Sequence, residues 1–168
     1  VLTKGIEFLF KKNKVSYFKG KGSFKSSNEI VVSGDGKETI IKTGKAIIST
    51  GSEPVSIPGM EFDEEKIISS TGALSLEKLP KKMVVVGGGY IGLEMGSVWS
   101  RLGTEVEVVE FLDHITPGMD REISTEFMKI LKKQGIKFKL NTKVEKIIKN
   151  ENGVTLEVID KENKKNNI

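Results

Sequence analysis

The sequence predicts an α/β fold in which a parallel sheet with helices is combined with antiparallel β-meanders. The prediction rests mainly on one segment of about thirty residues, the usual length of a βαβ unit. This segment contains the apolar run 83–86, a glycine-rich turn, a helix-like stretch that ends at Gly103, and a second apolar run, 106–109. A strand, helix and strand in this order place the two strands parallel. Short apolar runs between turn residues, on both sides of the segment, predict the antiparallel meanders.

The turn at 87–92 reads Gly-Gly-Gly-Tyr-Ile-Gly, which is the spacing of a dinucleotide-binding motif. Gly87 can adopt a backbone conformation closed to other residues, so the strand can turn at once into a helix. Gly89 lacks a side chain, so a pyrophosphate can approach the helix N-terminus, where N–H groups and the helix dipole favour anions. Gly92, and Gly96 one turn later, let the helix lie close to the strands.

An acidic residue completes the pattern. Glu110 ends the second apolar run, near the spacing of about 20 residues at which an acid binds the adenine ribose. Its charge would repel a 2′-phosphate, and no arginine occurs between Glu110 and Arg121, which favours NAD over NADP. The glycine string alone could be a purely structural turn. The strand before it, the helix after it and this acid make the dinucleotide interpretation the stronger one.

Composition excludes several classes of function. The 168 residues carry a net charge of +4, and lysines alternate with Asp and Glu along the chain. This pattern indicates a solvated surface rather than a nucleic-acid interface, which would concentrate basic residues on one face. No apolar run approaches the length of a membrane span. The absence of cysteine excludes thiolate nucleophiles and disulfides within these residues, and we expect no metal site.

The N-terminal third predicts a helix followed by a meander. Apolar residues at helical spacing predict an amphipathic helix over residues 2–12. Turn residues at 26–28 and 34–37 separate short strands, and the second of these turns is a hairpin signal. The predicted strands are 15–18, 23–24, 29–33, 39–43 and a buried strand at 46–48.

A connector follows, with prolines at 54, 58 and 80. It is predicted to contain a short strand at 66–68 and a capped helical turn at 69–74. A boundary between two domains is expected within it, since linkers are enriched in proline and polar residues.

Beyond the glycine turn the sequence predicts two helices. Gly103 ends the first helix, and its predicted core-facing stripe is Ile91, Met95, Val98, Trp99 and Leu102. The loop 112–118 holds the single histidine, His114, which we interpret as a surface residue. Asp120 caps the second helix, 121–134, and Gly135 stops it. The predicted inner face of this second helix is Ile123, Phe127, Ile130 and Leu131.

The C-terminal residues predict further strands. A strand at 136–140 precedes a hairpin of strands 144–148 and 154–159, with its turn at 150–153. The polar segment from Asp160 is interpreted as the loop of a longer hairpin. Because the sequence starts at Val1 rather than Met and ends in this segment, we expect it to be an internal part of a longer protein.

Several stretches resemble the FAD-dependent pyridine nucleotide–disulfide oxidoreductases. The glycine turn and the Thr-Gly pair at 50–51 are features of the broader family. Gly-Ser-Val-Trp at 96–99, with Val-Glu-Phe-Leu at 109–112, resembles the dihydrolipoamide dehydrogenases of mitochondria and related bacteria. The resemblance covers essentially the whole chain. It implies part of an FAD-binding domain over 1–60, a connector over 61–80 and a Rossmann-like NAD-binding domain over 81–168 that is C-terminally incomplete.

The resemblance also implies roles for individual residues. Gly22 would lie at the adenine end of FAD, and Thr50, Gly51 and Ser52 would return the chain to the flavin. Glu110 would hold the NAD ribose and Val144 the adenine. The residues expected to hold NAD are Gly87, Gly88, Gly89, Tyr90, Ile91, Gly92, Leu93 and Glu94.

Two of these positions have a more specific counterpart in the family. A glutamate placed like Glu94 pairs with a lysine beside the flavin, which helps to tune the flavin. A residue placed like Tyr90 can cover the empty nicotinamide pocket. Ordinary packing is an equally open alternative for Tyr90.

At the level of the whole protein, the resemblance implies an NAD-dependent oxidoreductase in which electrons pass from dihydrolipoamide through a disulfide and FAD to NAD⁺. Such an enzyme would be a homodimer that takes part in cell redox homeostasis. It would serve the lipoyl domains of 2-oxo acid dehydrogenase complexes or of the glycine cleavage system. The expected compartment is the bacterial cytoplasm or the mitochondrial matrix, without nucleic-acid or membrane partners.

Three family features are missing from the sequence. They are the first glycine turn, which binds the FAD pyrophosphate, the Cys-x-x-x-x-Cys disulfide, and the C-terminal domain with its His–Glu base. We therefore expect no catalytic residue in this chain and no activity on lipoamide from it alone. The alternatives are another FAD-dependent disulfide reductase, an NAD(P) transhydrogenase lacking the disulfide, or a non-catalytic NAD-binding module.

Overall fold

The computed structural model describes residues 2–151 and 153–168, which fall into two compact units. The first unit is Val1–Gly51 and the second is Ser52–Ile168. Parallel and antiparallel sheets both occur together with helices, so the predicted α/β class is confirmed. The predicted cofactor-domain limits, 1–60 and 81–168, stay a prediction.

The first unit consists of one helix and a three-stranded antiparallel sheet in the order β1-β2-β3. The hairpin predicted at 34–37 is confirmed, because Asp35 (φ +49°) and Gly36 (φ +73°) are both left-handed, as a two-residue hairpin turn requires. The predicted helix is confirmed as well. The elements are α1 (Leu2–Lys12), β1 (Lys21–Ser26), β2 (Glu29–Gly34) and β3 (Lys37–Lys42).

Two strands predicted in this unit are wrong. Residues 15–18 fold back on α1: the Val15 N–H donates to the Phe10 carbonyl at 2.9 Å, and the Tyr17 ring lies 5.8 Å from that of Phe10. Residues 46–48 are irregular, with Ile47 93% and Ile48 72% exposed. An apolar run forms a buried strand only where a neighbour pairs its backbone, and no described strand pairs with 46–48.

The second unit contains the predicted strand–helix–strand arrangement. Its three-stranded parallel sheet has the order β4-β5-β6, and a three-stranded antiparallel sheet has the order β7-β8-β9. β4 pairs with β5 in register, with Met83 opposite Val106 and Val86 opposite Val109. The elements are α2 (Ser70–Ala73), β4 (Lys82–Val86), α3 (Tyr90–Arg101), β5 (Glu105–Val109), α4 (Arg121–Lys133), β6 (Lys137–Lys139), β7 (Thr142–Asn150), β8 (Gly153–Asp160) and β9 (Lys165–Asn167).

The C-terminal hairpin is confirmed as the pair β7 and β8. After Asp160, residues 161–164 form the turn of a further hairpin, but residues 165–167 form a third strand, β9, which pairs with β8, so the interpretation as a loop was wrong for these last residues. The predicted turn at 150–153 includes Asn152, which lies outside the described residues. In the part of the chain that the structure describes, no helix has the length and apolar character needed to cross a membrane.

Apolar residues cover both faces of the parallel sheet, as such sheets require. On the face covered by the helices, the buried cluster is Leu93, Val106, Val108, Ile115, Leu131 and Ile136. On the opposite face, Val109 packs with Leu156 and Val158 of β8. The sheet is therefore the middle layer of the second unit, between its helices and the β7–β9 meander.

The stripes predicted for the two helices are confirmed only in part, at Trp99 in α3 and Leu131 in α4. In α3, Ile91, Val98 and Leu102 are 46%, 43% and 58% exposed, and the buried residues are Leu93 and Gly96. The glycine face of α3 lies against the sheet because the backbone can approach most closely there. Trp99 is half-buried against the core, as predicted, and its indole N–H donates to the Ala73 carbonyl at 3.1 Å.

In α4, the residues with buried side chains are Ser124 and Leu131, whereas Ile123 and Ile130 are 56% and 53% exposed. The predicted cap is confirmed: the Asp120 carboxylate accepts the N–H groups of Glu122 at 2.9 Å and Ile123 at 3.3 Å. The inner face of α4 is rotated from the predicted one. It carries Ser124, whose hydroxyl group takes part in a buried hydrogen bond.

Residues 61–69 form a turn, and the strand predicted at 66–68 is wrong. One oxygen of Asp63 accepts the backbone N–H groups of residues 65–67, at 2.8–3.0 Å, so these groups are not free to join a sheet. The Lys149 ammonium, 2.7 Å away, and these N–H groups hold the pKa of Asp63 well below its usual range. The capped helical turn is confirmed as α2, where the Ser69 hydroxyl accepts the Gly72 N–H at 3.1 Å.

Candidate nucleotide-binding site

The glycine turn begins where β4 ends. The Gly87 N–H donates to the Val109 carbonyl at 2.8 Å, which continues the parallel ladder by one residue. Gly87 then adopts φ +106°, a conformation that side chains make rare. The chain thereby reverses direction within three residues and enters α3 at Tyr90, as the sequence predicts.

Gly89 forms an open N-terminus for α3. It is the N-cap residue, with φ −71°, and no side chain caps the helix there. A Cβ atom built on Gly89 would meet no heavy atom within 4 Å. The first N–H groups of an α-helix have no acceptor within the helix, so this end presents unpaired donors and the positive end of the helix dipole to the space beside Gly89.

Gly92 and Gly96 hold α3 against the sheet. A Cβ atom on Gly92 would lie 2.9 Å from Val85 Cγ1 and 3.1 Å from the Gly87 carbonyl oxygen. On Gly96 it would lie 3.2 Å from Val106 Cγ1. The close helix–strand contact predicted for these two glycines is therefore confirmed.

The acid at the end of β5 is directed at the glycine turn. Glu110 is only 7% exposed, and its Oε2 accepts the Gly88 N–H at 2.5 Å. Its Oε1 accepts the Leu112 N–H at 2.7 Å. Each carboxylate oxygen has two lone pairs, so both retain capacity to accept a further hydrogen bond from a hydroxyl group. A carboxylate and an uncapped helix N-terminus thus lie on either side of Gly88.

The loop 112–118, for which the sequence predicted no role in the site, contacts the glycine turn at Gly88. The Thr116 N–H donates to the Gly88 carbonyl at 2.7 Å, and Ile115 Cγ2 would lie 3.2 Å from a Cβ on Gly88. Both loop residues are at most 5% exposed. The sequence predicts a loop at 112–118 with His114 at the surface and no role in the site. The one signal that could have identified it was Ile115, an apolar residue between polar neighbours in the loop that follows the acid.

The other residues predicted to contact NAD differ in accessibility. Tyr90 is 68% and Ile91 46% exposed. Leu93 is in the core, so only its backbone could reach a ligand. Glu94 is exposed and forms no ion pair with any described residue, so the structure gives it no lysine partner.

Val144 is half-buried on β7 and packs in the cluster with Val109. The first residue of β7, Thr142, donates its N–H to the Glu110 carbonyl at 2.9 Å. The strand that carries Val144 therefore starts beside the predicted ribose-binding acid. Its contact with adenine stays a prediction.

The residues predicted to contact FAD are all exposed. Gly22 lies in β1, where a Cβ would meet only Ile30 Cγ2, at 3.9 Å. Gly51 has φ +83° and open space around it. Thr50 and Gly51 end the first unit and Ser52 begins the second. The contact of these four residues with FAD stays a prediction.

The nearest arginine after Glu110 is already paired. Both terminal guanidinium nitrogens of Arg121 donate to the Asp113 carboxylate at 2.8 Å, and His114 Nδ1 lies 2.8 Å from the same carboxylate. The Arg121 guanidinium, and after it His114, hold the pKa of Asp113 well below its usual range. Among the described residues, no cluster of His, Asp and Glu could hold a metal ion.

Known proteins share this sequence and architecture. The family model described as pyridine nucleotide-disulphide oxidoreductase matches residues 1–168. The mitochondrial dihydrolipoyl dehydrogenase of Pisum sativum is 57% identical over 158 residues, which cover 94% of this chain and 32% of that protein. The dihydrolipoamide dehydrogenase of Chaetomium thermophilum is 60% identical over 159 residues, with coverages of 94% and 32%. The chain thus spans about a third of the length of these relatives.

Solved structures show the same relationship. LpdA from Mycobacterium tuberculosis superimposes on this chain with a TM-score of 0.80, over 98% of this chain and 37% of LpdA. The two sequences are 22% identical, so this similarity concerns the fold alone. The flavoprotein disulfide reductase RclA from Escherichia coli has a TM-score of 0.68 and 30% identity, covering 92% of this chain and 37% of RclA. Because the family model matches all 168 residues, the chain belongs to the pyridine nucleotide-disulphide oxidoreductase family.

Proposed function

We propose that this chain is the NAD-binding part, with a portion of the FAD-binding part, of a dihydrolipoyl dehydrogenase. Such a flavoprotein oxidises protein-bound dihydrolipoamide and uses NAD⁺ as hydride acceptor. The observation that carries the proposal is the pairing of an uncapped, unobstructed helix N-terminus at Gly89 with the nearly buried Glu110 carboxylate. The names of relatives at 57% and 60% identity support the choice of enzyme.

The residues present fit a dinucleotide. The open N–H groups at Gly89 and the first turn of α3 would bind the diphosphate. Glu110 would accept hydrogen bonds from the ribose hydroxyls, and its charge would disfavour a 2′-phosphate. Arg121, the nearest cation that could offset this charge, is occupied by Asp113. The site therefore favours NAD over NADP. NAD supplies the chemistry, hydride acceptance at its nicotinamide ring, and the protein supplies binding and orientation.

Other parts of the protein must supply the thiol chemistry, since this sequence contains no cysteine. Gly22, Thr50, Gly51 and Ser52 are the positions in this chain proposed to contact FAD, and none of them carries a redox group. The whole enzyme would be a homodimer acting on lipoyl domains, and the mitochondrial relatives favour the mitochondrial matrix.

A second candidate is another flavoprotein disulfide reductase, supported by the similarity to RclA at 30% identity. The much higher identity to the lipoamide enzymes favours the first candidate. Turnover of dihydrolipoamide with NAD⁺ by the whole enzyme would distinguish the two.

The test is an NADH titration monitored by nucleotide fluorescence. We expect Gly89→Val to weaken NADH binding roughly tenfold or more, because the new side chain occupies the space of the diphosphate. Its thermal melting should change little, since a Cβ there meets no atom within 4 Å. Gly44→Val is the matched control, because a Cβ on Gly44 likewise meets no atom within 4 Å but Gly44 lies in the first unit. Wild-type affinity in Gly89→Val, or an equal loss in Gly44→Val, would refute the assignment.

A further inference from the structure

The loop that follows Glu110 is tied to the glycine turn through one peptide group. The Gly88 carbonyl accepts the Thr116 N–H at 2.7 Å, while the Gly88 N–H donates to Glu110. The Gly88 carbonyl and the Gly89 N–H belong to the same planar trans peptide and point in opposite directions. Holding the carbonyl on Thr116 therefore directs the Gly89 N–H away from the loop.

Thr116 holds this position in an unfavourable backbone conformation. Its φ is +51°, a region that β-branched residues rarely adopt, and the residue is only 5% exposed. Such conformations persist where the surroundings impose them, and they concentrate at functional sites. The residue before Thr116, Ile115, is fully buried in the core and lies against Gly88.

A buried pair of hydroxyl groups imposes the conformation. The Thr116 hydroxyl donates to the Ile115 carbonyl at 2.8 Å, so its oxygen is left to accept the Ser124 hydroxyl at 2.7 Å. Ser124 lies on the inner face of α4 and is 1% exposed. A rigid helix is thus connected through two hydroxyl groups to the peptide that precedes Gly89.

We propose that Thr116 and Ser124 are positioning residues, which fix the direction of the Gly89 N–H so that it is ready to receive a diphosphate. The proposal rests on the proposed NAD site and adds residues that do not touch the nucleotide. Preorganisation of this kind improves affinity by removing an ordering cost from binding. Loss of this preorganisation should weaken the binding of every ligand that carries the diphosphate.

The experiment compares NADH and ADP binding in five variants of the purified protein. Thr116→Val and Ser124→Ala each remove one hydroxyl group. We expect the Kd for both ligands to rise about fivefold in each variant, which is the change in affinity that corresponds to the loss of one hydrogen bond. Thr116→Ser keeps the hydroxyl and should bind within about twofold of wild type, a rescue that a loss of packing alone would not give. Thr125→Val is the matched control, because it removes a neighbouring exposed hydroxyl that bonds only within α4.

The two hydroxyls form a single connection, so the double variant Thr116→Val/Ser124→Ala should bind no more weakly than Thr116→Val. If Thr116→Val does not fold, Ser124→Ala still tests the proposal. This variant should fold, because alanine is the best helix former and residue 124 lies within α4. Wild-type affinity in Ser124→Ala and Thr116→Val would overturn this inference while leaving the NAD site intact. Failure of Thr116→Ser to restore binding would also overturn it. A wild-type protein that binds neither ligand would refute the proposed function itself.

Discussion

The close contact between α3 and β4 predicts a specific loss of stability in Gly92→Ala. The added methyl group would lie 2.9 Å from Val85 Cγ1 and 3.1 Å from the Gly87 carbonyl oxygen. Optimal contact distances are about 3.5–4.0 Å, so both neighbours must move. The Val85 atom belongs to a side chain, which can shift. The Gly87 oxygen belongs to the backbone of a turn that is fixed by the hydrogen bond from the Gly87 N–H to the Val109 carbonyl.

The magnitude follows from two opposing effects. Overpacking of this kind costs about 1–3 kcal/mol, and replacing glycine by alanine in a helix regains up to about 1 kcal/mol. We therefore expect Gly92→Ala to lower the free energy of unfolding by about 1–2 kcal/mol. For a domain near 100 residues this lowers Tm by roughly 4–15 °C.

Thermal unfolding followed by circular dichroism measures this change, with Gly96→Ala as the matched control on the same helix. A Cβ on Gly96 meets only side-chain atoms, Val106 Cγ1 at 3.2 Å and Val85 Cγ2 at 3.5 Å, which can yield. Its cost should be largely offset by the gain in helix propensity, which leaves its Tm close to wild type. If Gly92→Ala melts at or above wild type, or if Gly96→Ala is the less stable of the two, the packing argument is wrong.

Two further predictions concern α4 and the loop before it. Asp120→Ala removes the acceptor for two N–H groups and should lower the free energy of unfolding by about 1 kcal/mol, measured by urea denaturation; an unchanged midpoint would contradict this. Arg121→Gln should raise the pKa of Asp113 toward its ordinary value, measured by NMR titration, because Arg121 is the main cause of its depression. Since the pKa of Asp113 is lower in the folded state, its contribution to stability is complete above the unfolded-state pKa of about 4 and is lost at lower pH. Stability that falls equally with acid in wild type and Arg121→Gln would rule out this linkage.

Sequence patterns located the helices better than they located the buried faces. The cap at Asp120 and the glycines that follow α3 and α4 are local signals, and the helix ends lie where these predict. The buried faces depend on what lies opposite. On α3 the sheet is approached through Gly92 and Gly96, whereas on α4 Ser124 turns inward to meet Thr116. No periodicity within either helix contains this information.

The same limit explains the strands that were predicted but do not form. Ile47 and Ile48 are β-branched and apolar, yet a strand needs a partner for its backbone. Residues 65–67 instead give their N–H groups to Asp63, a competition that β-propensity does not include. By contrast, β9 forms from polar residues because the edge of β8 is available to pair with it.

The sequence by itself determined the strand–glycine turn–helix–strand unit and the acid after it, because the spacing of small, apolar and charged residues along the chain encodes both. Only the tertiary structure decided that Glu110 binds the Gly88 N–H and that the loop after it, through Thr116, holds the Gly88 carbonyl. These contacts join residues more than twenty positions apart in the chain, and their geometry is set by packing of the sheet, α4 and the buried Ile115 rather than by any local preference.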